Sequence, residues 1–246
     1  MLKKATTLAA LIFGMVPFSV RPDAAQDGFV TSNIRAIFYH ELGHAVIDVM
    51  EVPIFGQEED AADVMSVLLI DWLFEEEVAQ IIAYDSAFGF LDDPEKEREI
   101  AWWDQHGPDE QRFYNHVCLF YGGNPDARGE LAKDLGLPEE RAETCLEEYD
   151  LAAGSWALVF EEMDRAGKGA PMTFIPGTGK DDALVNQVLS EEVARMSESI
   201  ALPTRIEVRV EVCEEANAFY DLEKRSIIFC TEFVDHLRDL FDRNFQ

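Results

Sequence analysis

Apolar positions along this chain recur at helical spacing for most of its length and alternate only near the end. Ile34, Ile37, Phe38, Leu42, Ala45, Val46 and Val49 share one stripe, the mark of a helix with one buried face. The pattern predicts a first helix from Ser32 or Asn33 to about Met50, with Ser32 as N-cap and Pro53 closing the segment. Gly56 marks a turn. A second helix starts near Glu58 and runs through Trp72 towards Glu77, its early acidic residues suiting the positive end of the helix dipole. A third covers about Glu75 to Ala87. Residues 89–99 read as a loop followed by a helix start. Asp109 to Tyr121 reads as helix, broken at Gly122-Gly123-Asn124-Pro125. Residues 126–166 hold two or three helices separated near Gly136-Leu137-Pro138, and a further helix spans about Lys180 to Ser199. Residues 205–212 then alternate polar and apolar, a half-buried strand pattern, and Arg225 to Phe229 forms a second strand. A closing helix runs from Thr231 to Phe241. The expected fold is α+β, mainly α, with a small C-terminal antiparallel sheet.

Composition narrows the function classes. The chain has 246 residues, 48% of them hydrophobic, enough for a real core. It carries 49 acidic and 20 basic residues, a net charge of −29. Such a surface repels phosphate backbones, so nucleic-acid partners are excluded. Lys3 and Lys4 precede an apolar stretch from Ala5 to Val20, with small residues at Ala24 and Ala25. That is short for a membrane span and reads as an export leader over residues 1–25, giving a periplasmic or secreted protein with no stable membrane insertion after cleavage. Residues 26–246 then form a single domain, with the Gly- and Pro-rich stretch 166–179 as its best internal linker.

Four cysteines in an exported chain imply disulfides. Sequence order favours Cys118–Cys145 and Cys213–Cys230 among the three pairings. No Cys-x-x-Cys occurs, which argues against a thiolate zinc site. Adjacent aspartates at Asp92-Asp93 and Asp181-Asp182 lack the spacing of a calcium loop.

The chemistry concentrates in His40-Glu41-Leu42-Gly43-His44. Histidines four apart on a helix stand one turn apart on one face, where both imidazoles reach a single ion. Glu41 is turned away from the ion but can hold and deprotonate a water beside it. Gly43 costs the helix about 1 kcal/mol relative to Ala, which close packing or substrate approach would explain. A catalytic zinc takes three protein ligands and keeps one open position. Glu59, fifteen residues after His44, can supply the third, with Asp63 one turn on to hold a ligand histidine through its other ring nitrogen. Glu58, Asp60 or Asp63 could each serve as third ligand instead. Ala61 and Ala62 leave room for the two helices to pack closely. For the oxyanion of a hydrolytic transition state the candidates are His106, Arg112, Tyr114 and His116. His106 sits in a loop and is the favoured one. Arg112 reads as an ion-pair residue, Tyr114 as core, His116 as structural and His236 as a surface residue near a helix C-terminus.

His-Glu-Leu-Gly-His followed by Glu-x-x-x-Asp on the next helix resembles the glutamate zincins, of which thermolysin is the familiar member. More closely, the chain is similar to an uncharacterised family of bacterial zinc metallopeptidases. The likeness covers His40 to His44, Glu58 to Asp63, Gln111 to Asn115, Leu137 to Ala142 and Asn217 to Asp221. It implies a zincin-like helical core, zinc on His40, His44 and Glu59, Glu41 as general base, and a peptide or protein substrate. One departure stands out: thermolysin-like enzymes place a sheet before the zinc helix, and here only about eight residues separate the leader from it. The strands at 205–212 and 225–229 would have to supply that sheet from the other end of the chain. Should they not, the alternative is a catalytically inactive zinc-bearing binding or structural module.

Overall fold

The computed structural model describes residues 22–91, 100–165 and 170–245. The charged and apolar parts of the expected leader, and Asp92-Asp93, lie outside the described residues. Eight α-helices are described: α1 Pro22–Met50, α2 Glu58–Leu73, α3 Glu76–Ala87, α4 Asp109–Gly123, α5 Pro125–Asp134, α6 Glu139–Arg165, α7 Ala183–Ser199 and α8 Glu232–Phe245. Four strands accompany them: β1 Thr173–Ile175, β2 Glu207–Glu211, β3 Ala218–Asp221 and β4 Ser226–Cys230.

The fold is mainly helical with one small sheet, and α1 is its axis. That helix packs against α2, α3, α7 and α8 and also touches β3 and β4. It starts about ten residues before the expected N-cap. Ser32 lies inside it, 3% exposed. The reason is that the apolar stripe continues upstream. Phe29 and Val30 are buried, and the Phe29 ring meets Phe241 and Phe245 of α8 at 5.6 and 5.7 Å. A buried Phe29 is worth roughly 1.5–3 kcal/mol, more than a Ser cap at about 1 kcal/mol.

α2 lies so close to α1 that a Cβ on Gly43 would stand 2.9 Å from Ala62 Cα. Glycine at 43 and alanine at 62 set this approach, and it is close packing that explains Gly43.

The sheet order is β1-β2-β4-β3. Both β1–β2 and β2–β4 are parallel, and only β3–β4 is antiparallel. The expected antiparallel sheet is thus a mixed one. β4 holds the centre, and all five of its residues are buried. A continuous apolar run such as Ile227-Ile228-Phe229 belongs to a strand with neighbours on both sides and both faces covered. β3 was missed because it is four residues long and half-buried throughout. The stretch read as a linker carries β1.

Disulfides join Cys118 of α4 to Cys145 of α6, and Cys213 to Cys230 of β4, the two expected pairs. Among the described residues, no helix is long and apolar enough to cross a membrane.

Candidate metal centre

α1 and α2 bring His40, His44 and Glu59 together. Their near atoms form a triangle: His40 Nε2 to His44 Nε2 is 3.2 Å, His40 Nε2 to Glu59 Oε2 is 3.3 Å, and His44 Nε2 to Glu59 Oε2 is 3.5 Å. Ligands at 2.0–2.2 Å from a tetrahedral ion stand about 3.3–3.6 Å from one another. The three side chains therefore fit a zinc-sized cation without rearrangement.

The contacts behind the triangle orient it. Asp63 Oδ1 lies 2.8 Å from His40 Nδ1, and Glu58 Oε1 lies 2.8 Å from His44 Nδ1. Each ring is engaged on its far nitrogen, which turns Nε2 inward. The Asp63 contact is short but bent away from hydrogen-bond geometry. Asp63 was expected in this place. Glu58 was not, because only the acidic run Glu58-Glu59-Asp60 pointed to it. A 15-residue spacing between helices cannot say which of three adjacent carboxylates faces which ring.

Glu59 Oε2 is buried with three ring nitrogens around it, His106 Nε2 being nearest at 2.9 Å, yet none of them makes a straight hydrogen bond to it. A buried carboxylate oxygen without a proper donor is costly. Such an atom suits a cation.

The electrostatics agree. Burial works against protonation of His40, but contacts with Asp63 and Glu59 outweigh it and lift the imidazole to about 10. For His44, burial acts downwards and Glu59 and Glu58 raise it overall. Glu59 acts on His106 most strongly and raises it. Burial would raise Glu59 itself, yet His106, His40 and His44 hold its carboxyl far below the usual range. This is a pocket whose field favours positive charge at its middle.

Glu41, on the same helix, is 6% exposed. Burial pushes its carboxyl up to about 6, with His40 and His44 acting the other way. It lines a cavity of about 210 Å³ together with His40, Asp63, His106, Arg112 and His116. His106 is half-exposed on the loop before α4, its backbone N–H donating to Asp104 Oδ1 at 3.0 Å.

Arg112 makes the acidic ion pair expected of it, and its partner is Asp63, gripped by two hydrogen bonds of 2.8 Å. His116 is buried, with Nε2 3.0 Å from the Ala83 carbonyl oxygen and 3.2 Å from Ser86 Oγ. Tyr114 is 39% exposed and is not core. His236 lies early in α8 beside Phe233, away from that helix's C-terminus.

The C-terminal sheet stands against the histidine helix. Asn217, Ala218 and Phe233 line the same cavity, and Tyr220 Oη of β3 donates to Asp48 Oδ2 of α1 at 2.8 Å. β3 is an edge strand. The family likeness covers 217–221 but gives these residues no role, since nothing local to them marks a strand that reaches a cavity built 170 positions earlier.

A family model described as "Putative metallopeptidase" matches residues 20–160 and 180–246. No curated protein and no solved structure matches the chain. Since the family match runs through α1 and α2 and on through the C-terminal sheet and α8, the chain belongs to that metallopeptidase family.

Proposed function

We propose that this chain is an exported zinc-dependent peptidase that hydrolyses peptide bonds, working as one domain over residues 26–246. His40, His44 and Glu59 would hold the zinc, and the 3.2, 3.3 and 3.5 Å triangle of their donor atoms is the observation that carries the reading. Zinc supplies a Lewis acid there, one that lowers the pKa of water towards neutrality and polarises a carbonyl.

Glu41 takes a proton from the attacking water and returns it to the leaving amine. A base works best with a pKa near the operating pH, and burial has moved Glu41 up to about 6. His106 lines the same cavity and carries an N–H that would stabilise negative charge developing on the substrate oxygen. Asp63 holds the His40 ring. As an edge strand, β3 would offer backbone groups to an extended peptide, the role that a sheet before the zinc helix fills in thermolysin-like enzymes. Two disulfides suit an oxidising compartment, periplasmic or extracellular.

The test is a pair of measurements on purified protein. Metal analysis should find one zinc per chain. Glu41→Gln should retain that zinc and lose peptide turnover by about 10²–10⁴-fold or more. Full turnover in that variant would sink the hydrolytic mechanism. Zinc retention with no cleavage of any peptide by the parent protein would leave the non-catalytic zinc module standing.

A further inference from the structure

We infer that Arg112 is a positioning residue for the metal centre: its guanidinium fixes the Asp63 carboxylate, and through it the His40 ring, so that Nε2 stays aimed at the ion. This rests on the zinc reading above.

The geometry is a relay across three elements. Arg112 Nε donates to Asp63 Oδ2 and Arg112 Nη2 to Asp63 Oδ1, both at 2.8 Å. The same Oδ1 lies 2.8 Å from His40 Nδ1. A carboxylate held at both oxygens cannot rotate, so Oδ1 is fixed where the imidazole meets it. That matters here because the Asp63–His40 contact is bent and would not hold its own angle unaided. The guanidinium is fixed in turn, 15% exposed and stacked 4.8 Å over the Phe90 ring.

Two other roles for Arg112 predict different behaviour. A residue that touched the substrate through the donors not given to Asp63 would change peptide turnover and leave zinc affinity alone. A purely structural ion pair between α2 and α4 would change stability and leave metal affinity alone. The flat, two-pronged fit also separates Arg from Lys, whose ammonium keeps the charge but cannot grip both oxygens at once.

The experiment measures zinc affinity by chelator competition on the full chain at fixed pH, for the parent and for Arg112→Gln, Arg112→Lys, Asp63→Asn and the Arg112→Gln/Asp63→Asn pair. Absorption spectra of the cobalt-loaded forms report ligand geometry independently of turnover. Arg112→Gln should weaken zinc roughly ten- to a hundredfold and shift the cobalt bands. Arg112→Lys, the milder change for folding, should also weaken it by about tenfold. The double variant should be no weaker than Asp63→Asn alone, since the two residues act in series. Parent-like affinity and spectra in Arg112→Lys, or full additivity in the double variant, would overturn the inference. A parent protein that binds no zinc would instead refute the zinc reading on which it stands.

Discussion

Gly43 of α1 and Ala62 of α2 meet where the two helices touch, so closely that a β-carbon on residue 43 would lie 2.9 Å from the Ala62 α-carbon and 3.1 Å from its methyl. The histidines flank that contact on one helix, and Glu59 precedes it by one turn on the other. The spacing of this crossing sets the size of the donor triangle.

Gly43→Ala should therefore destabilise the protein although alanine is the better helix former. The propensity gain is about 1 kcal/mol, and overpacking costs about 1–3 kcal/mol. Part of that cost is met by α2 moving out and carrying Glu59 with it. Urea denaturation and zinc titration should both show a loss. Higher stability with unchanged zinc affinity would mean the helices have slack that the structure does not contain.

Metal removal should loosen the same junction. A ligand at a thousand times its dissociation constant stabilises the folded state by about 4 kcal/mol. Melting curves should shift upwards with added zinc and downwards with a chelator, and His44→Ala should abolish the dependence. A melting temperature indifferent to zinc would contradict a site that ties α1 to α2.

Asp85 gives a stability effect with a definite sign. Burial raises its carboxyl to about 6, against a hydrogen bond from Ser32 that lowers it. The folded state thus favours the neutral acid. Its contribution is present below about pH 4, the unfolded value, and is lost as pH rises through about 6. Asp85→Asn should raise stability at pH 7.5 by about 1–2 kcal/mol after discounting for screening, and change it little at pH 4. A gain at pH 4 with none at pH 7.5 would reverse the sign and refute the assignment.

Glu192 of α7 is fully buried and accepts from Arg35 Nε at 2.8 Å, Tyr39 Oη at 2.6 Å and Arg195 Nε at 3.0 Å. Removing the buried carboxylate strips Arg35 and Tyr39 of their shared partner, and losing one member of a buried ion pair costs about 3–5 kcal/mol. Glu192→Ala should reach that range in chemical denaturation. Tyr39→Phe, which deletes one of the three donors to Glu192, should cost only about 1 kcal/mol. Equal losses in the two variants would show that the carboxylate is not the hub.

Much of this was legible in the chain. The four-residue spacing of His40 and His44 is a local property of one helix, and Asp63 follows Glu59 by the same period. The starts of α2 and α6 follow from acidic residues at Glu58 and Glu139 and the α5–α6 break from Gly136-Leu137-Pro138, whereas α2 ends at Leu73 short of the expected Glu77. What escaped depends on partners distant in sequence. Phe29 is helical and buried because Phe241 and Phe245 of α8 lie against its ring. β4 is central because β2 and β3 flank it. Glu58 meets His44 because of how two helices cross. Periodicity reports which face of an element is buried, but not what lies against it.

The position of α1 at the middle of the fold has a consequence for how the protein is made. Residues 22–50 leave the ribosome early, whereas α7, β3, β4 and α8, which shield much of that helix, lie between residues 183 and 245. A nascent chain of about 180 residues already owns both histidines and Glu59, yet its Phe29 has no Phe241 or Phe245 to rest on. Until the last quarter is synthesised, this segment is a sticky surface in search of a cover.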